Sequence, residues 1–345
     1  MSRSFADPQV LGSNHIAWHV RPMVVTVLLL LAVASAALAQ TPADVPTVVL
    51  KAARDSEQAP HGQGNVYAPC VLRDGSTYRM WYGGQGRDGH DRIHYAESSD
   101  GESWVAHGVA LEDRLANHVN DPAVVKVAGT YYMYYTRTER DVVDRIDVAV
   151  SEDGQTWEPK GAVLTPGPQG SWDSLSVGRP AVLYEEGVFK LWYDGRKDFP
   201  PGTPVQGVPL SPTSRRSVGY ATSKDGLRFT RPSADPVFGN DAGAVDVQRV
   251  GRRLVMVYES REGTRLALSP DGTTWVDRGT VIKQSGTPID AFGHVTPYLL
   301  VDPDGVARRL YVGAAAATTW DRNSIALFKS GRDQAGGLLD RWLRD

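Results

Sequence analysis

Ser98-Ser99-Asp100-Gly101-Glu102-Ser103-Trp104 returns as Ser151-Glu152-Asp153-Gly154-Gln155-Thr156-Trp157, and the same Ser-x-Asp-Gly-x-x-aromatic frame recurs at 223–229 and 269–275. Four copies of one frame mark an internal repeat. Asp-Gly between two strand-like runs reads as a hairpin turn, because glycine accepts the positive φ angles such turns demand. Upstream of each copy lies the same series: a first strand, an aromatic-rich second strand, a charged loop and a third strand ending Ala-x-Ser. Each repeat is therefore expected to be a four-stranded unit.

First strands are expected at 65–72, 120–125, 177–183, 245–250 and 292–299, with second strands near 78–82, 131–135, 189–193, 254–258 and 309–312. The units number five. Short four-stranded units cannot bury both faces alone, but packed radially they can. The spacing thus predicts an all-β chain, a five-bladed β-propeller over residues 65–330 with four antiparallel strands per blade. The fifth unit has no Asp-Gly turn after its third strand at 325–328, so residues 48–51, within the 40–64 segment, are expected to complete it. A Pro- and Gly-rich insertion is expected at 194–217, and a short helical tail within 331–345.

Composition agrees. Of 345 residues, 41% are hydrophobic and 22% charged, and 35 glycines beside 22 prolines describe a turn-rich globular chain. A net charge of −3 without any Lys/Arg run argues against a nucleic-acid partner. Residues 1–39 read as a signal peptide: Arg21 precedes the apolar run 23–38, and Ala37-Leu38-Ala39 is a small-x-small cleavage pattern that would leave Gln40 as the new N-terminus. An uncleaved membrane anchor is the alternative. Cleavage would leave no integral membrane segment and a secreted or periplasmic protein. Cys70 is the only cysteine, so packing rather than an intramolecular disulfide must hold the fold.

If first strands start beside the axis, the loops leading into them share a face with the loops joining second to third strands. The Asp-Gly turns then lie at the other end, and Asp100, Asp153, Asp225 and Asp271 are turn residues rather than catalysts. The functional face collects Asn65 and Tyr67, Asn120 and Asp121, Trp172, Asp173 and Arg179, Asp241 and Asp246, and Asp290 with His294. The second-to-third-strand loops add Asp88, His90, Asp91, Arg137, Glu139, Asp144, Asp194, Arg196, Glu259 and Arg261. A funnel of carboxylates and aromatics suits a sugar, although any single member is equally well read as a solvated loop charge.

These residues resemble the arabinanase, invertase and levansucrase superfamily of five-bladed propellers, with glycoside hydrolase families 43 and 32 and the family 130 mannoside phosphorylases. The resemblance covers about 62–330. Asn120-Asp121-Pro122-Ala123-Val124-Val125, with Gly129 and the run Tyr131-Tyr132-Met133-Tyr134-Tyr135, looks like the Asp-Pro strand and Tyr-rich strand of a second blade in those families. Gly293-His294 resembles the axial Gly-His of family 43, which implies that His294, with Asp290 or Asp246, could hold a Ca²⁺ ion or water on the axis. The departures are Ala68-Pro69, where families 43 and 32 carry an Asp, and Arg179-Pro180, where they carry an acidic Glu.

The resemblance implies an enzyme that hydrolyses or phosphorolyses oligosaccharide or polysaccharide, with Asp121 as one carboxyl and Asp246 or Asp173 as the other. Asn65, Tyr67, Asn120, Arg179, Asp194, Glu259, Asp290 and His294 are the expected substrate-binding residues. If phosphate replaces water, Arg179 and Arg137 would clamp it. No cofactor is required. The alternative is a non-catalytic carbohydrate-binding propeller that lost its catalytic carboxylates. The Asp-Gly turns also look like degenerate Asp-boxes of sialidases, but five units, not six, weigh against that reading. The eight histidines show no ligand-like spacing.

Overall fold

Runs that alternate aromatic, β-branched and small residues form strands wherever the chain is described, and helix is confined to one turn near its end. The computed structural model describes residues 45–51, 65–86, 88–139, 143–203, 207–330 and 337–343. The signal-peptide reading of 1–39, and parts of the 40–64 and 331–345 segments, lie outside the described residues.

Strand β1 (Thr47–Leu50) is followed by β2 (Asn65–Asp74), β3 (Thr77–Gln85), β4 (Asp91–Ser98) and β5 (Val105–Leu111). The next unit is β6 (His118–Val127), β7 (Thr130–Glu139), β8 (Val143–Ser151) and β9 (Glu158–Leu164). A third comprises β10 (Ser176–Glu185), β11 (Val188–Arg196) and β12 (Ser217–Ser223), and a fourth β13 (Asp246–Val250), β14 (Arg253–Ser260), β15 (Gly263–Ser269) and β16 (Val276–Lys283). The last is β17 (His294–Val301), β18 (Ala307–Ala315) and β19 (Asn323–Lys329), followed by the single helical turn α1 (Asp340–Leu343). Within each unit, consecutive strands pair antiparallel, and β1 pairs with β19.

The third unit departs from the four-stranded expectation. Only isolated bridges, Thr222 with Thr230 and Val218 with Phe238, follow β12. Pro232 and Pro236 stand in this segment, and a proline has no amide hydrogen to give a ladder.

Each apolar core is shared between units adjacent in sequence. One joins Trp81, Ile93 and Tyr95 to Tyr131, Met133 and Trp157, another Tyr134 and Val148 to Leu191 and Tyr193. Trp192 and Val218 pack on Leu254 and Met256, and Val257 and Leu266 on Leu310 and Phe328. A further core joins the last unit to the first, with Leu300, Tyr311 and Ile325 against Val66, Tyr78 and Met80. No unit therefore has a core of its own, as the repeat reading required.

The Asp-Gly turns clamp these joints. Asp153 accepts the amides of Gln155 and Thr156 at 2.7 Å and the Ser151 hydroxyl at 2.9 Å, and its three counterparts do the same. Those donors hold the turn carboxylates well below their usual range. The following glycine carbonyl accepts a bond from the second strand of a neighbouring unit: Trp81 Nε1 to Gly154 at 2.8 Å, Tyr134 to Gly226 at 2.8 Å, Trp192 Nε1 to Gly272 at 2.7 Å, and Tyr311 to Gly101 at 2.7 Å. At Gly272, with φ +85°, a Cβ would sit 2.8 Å from the Trp192 ring. Register places Ser151 opposite Tyr131 at one end of its unit and Ile146 opposite Thr136 towards the other. The turns thus stand at the strand ends remote from the Asp121 level.

Tyr311→Phe is isosteric and removes only the hydroxyl that joins the last unit to the first. It is expected to cost about 1–2 kcal/mol, because the Gly101 carbonyl loses its partner. Tyr184→Phe, at an exposed ring, should stay within about 0.5 kcal/mol. Urea unfolding of the pair tests this, and equal stability would remove the clamp role.

Candidate active site

Near the start of the first strands the ladder slips by one residue in four units. Tyr67 pairs with Gly83 and Cys70 with Trp81, Asn120 with Thr136 and Ala123 with Tyr134, Gly178 with Asp194 and Ala181 with Trp192, Val295 with Gly313 and Tyr298 with Tyr311. Each slip is a β-bulge holding an X-Pro pair: Ala68-Pro69, Asp121-Pro122, Arg179-Pro180 and Thr296-Pro297. Proline fits there because a bulge needs no donor. In the fourth unit Ala244-Val245 takes the same place just before β13.

All five X residues have positive φ: Ala68 49°, Asp121 51°, Arg179 48°, Ala244 49° and Thr296 44°. Left-handed backbone at a non-glycine residue costs on the order of 1–3 kcal/mol and persists only where surroundings impose it. The imposing groups come from the preceding unit. The Arg179 amide donates to Thr136 Oγ1 at 2.8 Å, the Ala244 amide to Asp194 Oδ2 at 2.9 Å, and the Thr296 amide to Glu259 Oε2 at 3.3 Å. Thr136, Asp194 and Glu259 hold corresponding places on their second strands. The Ala68 amide donates to Thr296 Oγ1 at 2.7 Å.

The four bulges and the Ala244 turn converge on one cavity of about 40 Å³, lined by Ala68, Asp121, Arg179, Ala244 and Thr296 and, further along the strands, by Cys70, Asp246, Gln248 and Tyr298. Such a volume takes a few waters but no sugar ring. Asp121 and Asp246 are each only 7% exposed. Burial pushes both carboxyls up to about 7. For Asp121 the Arg179 guanidinium and the Thr136 hydroxyl pull the other way, while Asp194 and Asp144 add to the rise. Asp246 accepts the Leu299 amide at 2.8 Å and Gln248 Nε2 at 3.1 Å. Burial also lifts the Cys70 thiol to about 12, which leaves it protonated and unreactive.

Around the mouth the sequence-selected residues divide. Arg179 donates to Asp194 at 2.8 Å and approaches Asp144 at 3.8 Å, and Arg216 bridges Glu259 and Asp194. The resulting cluster keeps Arg179 firmly charged. Beside it Asn120 donates to the Tyr67 hydroxyl at 2.9 Å. Asn65 instead accepts the Asn323 amide at 2.8 Å and serves the joint to β19.

Asp173 lines no part of the cavity. Its carboxylate is held by the Ser171 hydroxyl at 2.8 Å and the Tyr193 hydroxyl at 3.1 Å, with Arg231 at 3.4 Å. His294 is fully buried against Phe328, one ring nitrogen on Asp290 at 3.1 Å and the other on Thr264 at 2.9 Å. With both nitrogens engaged and Asp290 also bound to Ser285, this pair does not fit a cation site. Among the described residues no group of three or more His, Cys, Asp or Glu could hold a metal. Arg137 is matched by Asp113, Glu139 and Asp147, so it has no free fork for phosphate. Sequence reading missed Thr136, Arg216 and Thr296, although X-Pro recurring at 68, 121, 179 and 296 was the available signal.

No protein-family model matches the chain. Two uncharacterized proteins of Mycobacterium tuberculosis are 36% identical over 140 residues, 37% of this chain and 45% of theirs. The chain therefore spans less than half the length of those curated relatives. An A type blood N-acetyl-alpha-D-galactosamine deacetylase of Flavonifractor plautii is 28% identical over 175 residues, 46% of this chain and 21% of that protein. Among solved structures, a glycoside hydrolase superposes with TM-score 0.64 at 20% identity, over 85% of this chain and 94% of that one. The family 117 glycoside hydrolase of the marine bacterium Zobellia galactanivorans gives 0.60 at 17%, over 83% and 89%. A structure from the family 130 mannoside phosphorylases, a family containing glycoside hydrolases that target β-1,2 mannosidic linkages in Candida mannan, gives 0.59 at 15%, over 84% and 93%. At such identities the likeness is one of fold, and the chain has the propeller-type fold of these glycosidases.

Asp246 carries a pH signature. Its folded pKa of about 7 exceeds the ordinary 3.8, so its favourable contribution is complete below about pH 4 and is lost as pH rises through 7. Asp246→Asn keeps an acceptor for Leu299 and removes the titration. The variant is expected to gain on the wild type by on the order of 2–4 kcal/mol between pH 4 and pH 8. Thermal melts across that range check this, and parallel curves would refute it.

Proposed function

We propose that the chain is an exported carbohydrate-active enzyme, a glycoside hydrolase or phosphorylase whose five blades close around the bulged strands. The shared cores and the Tyr311 bond from last unit to first support the closure. Export is proposed from the apolar run at 23–38 and the small-x-small pattern at 37–39.

The single observation that carries the reading is Asp121, a buried carboxyl on a left-handed bulge at the cavity mouth, with its pKa near 7 and Arg179 beside it. Glycosidic cleavage needs one carboxyl that still holds a proton near neutral pH to give to the departing oxygen. Asp121 fits that role. The cavity is too small for a sugar ring, so the sugar would lie at the mouth, and Asp246, on the cavity wall, would reach it only through water. Asp194 and Glu259 are occupied by guanidinium groups and backbone amides, which suits them to positioning. The carbohydrate class of the fold neighbours and of the deacetylase relative supports the same substrate chemistry.

A second reading, a non-catalytic sugar-binding propeller, draws on Ala68 and Arg179 standing where the resembling families carry carboxylates. One experiment separates the two. The protein is screened against aryl glycosides and plant and microbial glycans, with and without phosphate. Asp121→Asn should lower turnover by about a hundredfold or more while melting no lower than the wild type. Wild-type activity should fall as pH rises through about 7, where the acid loses its proton. Full activity in Asp121→Asn would move the acid elsewhere, and glycan binding without turnover in the wild type would establish the second reading.

A further inference from the structure

Beside the axial mouth, loop ends of the third, fourth and fifth units frame a second and larger cleft of about 500 Å³, which Glu259 and Arg216 border from the axial side. Four arginines and three carboxylates line it, and of the carboxylates Asp241 accepts the Arg216 amide at 2.9 Å and Glu262 the Thr280 hydroxyl at 3.1 Å. Arg265 meets Asp277 at 2.7 Å and Arg216 meets Glu259. Arg196 and Arg261 meet no carboxylate among the described residues. The Arg196 Nε is buried and has no hydrogen-bond partner, while its guanidinium lies 5.2 Å from the centre of the Phe199 ring. Arg261 lies 4.6 Å from the centre of the Trp320 ring and otherwise bonds only the Thr318 carbonyl at 3.2 Å.

A buried donor without an acceptor is rare in a folded protein and points to a partner that arrives from outside. Burial, with the nearby Arg179 and Arg216 charges, opposes the Arg196 charge more than Asp194 and Asp241 favour it, and an incoming anion would offset that cost. The half-buried Trp320 ring in the same cleft suits the apolar face of a sugar. We propose that Arg196, with Arg261, binds an oxyanion borne by a sugar, a uronate carboxylate in the first instance, next to the unit held at Asp121. Free phosphate shares this chemistry. The inference rests on reading the axial mouth as a carbohydrate site, and it adds an acidic substituent to the substrate class.

Calorimetric titration of the Asp121→Asn protein tests it without turnover. The probes are galacturonate and glucuronate, their neutral parents galactose and glucose, and inorganic phosphate. At least one anion is expected to bind about tenfold or more tightly than the neutral sugars, and Arg196→Met should abolish that preference. Arg196→Lys keeps the charge but not the fork and should bind in between. Should Arg196→Met fold poorly, Arg261→Met is expected to weaken the same anion about threefold or more. A uronate that outbinds phosphate identifies the sugar acid, whereas phosphate binding equally well identifies a site for free phosphate and overturns the sugar-borne assignment. Neutral sugars binding as well as every anion, or an unaltered preference in Arg196→Met, overturns the proposal. If the preference is absent while Asp121→Asn still abolishes glycan turnover, only this inference falls. If the Arg196-dependent preference persists but no glycan is cleaved, the catalytic reading falls instead.

Discussion

The fold turns on a backbone conformation that no single unit could hold. Five residues, one at the head of each first strand, take positive φ; four of them precede proline, and four, Ala68, Arg179, Ala244 and Thr296, donate their own amide to a neighbouring unit. At about 1–3 kcal/mol each, such strain is of the same order as one such hydrogen bond, about 0.5–1.5 kcal/mol to a hydroxyl and about 1.5–3 kcal/mol to a carboxylate. The amide bonds to Thr136, Asp194, Glu259 and Thr296 set the direction, and the apolar cores shared between units supply the rest. Backbone strain at the axis and burial at the joints are thus one arrangement. What holds the units together also aims Asp121 and Arg179 at the same space.

That coupling explains the double employment of the mouth's carboxylates. Asp194 accepts the Ala244 amide and the Arg179 guanidinium, and Glu259 accepts the Thr296 amide and pairs with Arg216. Each is part of the scaffold and part of the field. Because Asp194 raises Asp121 while Arg179 lowers it, the proton affinity at the mouth depends on the same contacts that fix the bulges.

Much of the fold was legible because its signals are local. Asp-Gly turns, strand-length apolar runs and aromatic second strands each read from a few residues, and the observed strands open within two residues of the expected first-strand starts. The missing fourth strand of the third unit was legible too, in Pro232 and Pro236, had the prolines been weighed against the ladder. The site was less legible because its defining contacts cross between units. Nothing near Arg216 in sequence announces Glu259, and although Ser171 stands two residues from Asp173, nothing there announces that the more distant Tyr193 and Arg231 also absorb it. His294 shows the same limit, since a histidine beside an axial glycine reads as a ligand until Asp290 and Thr264 close on both its nitrogens.

Arginine at position 179 is the departure with the widest consequence. A carboxylate there would stand beside Asp121, Asp144 and Asp194, and like charges at such spacing drive at least one pKa strongly upward. The guanidinium instead binds Asp194 at 2.8 Å and leaves burial as the main force acting on Asp121. On the proposed reading, acid function would then rest on Asp121 alone. The same guanidinium opposes the charges of Arg196 and Arg216, so on the proposed reading it would also add to the pull of the adjoining cleft on an anion. The proton donor and the preference for a charged substituent would therefore share a single cause in the sequence.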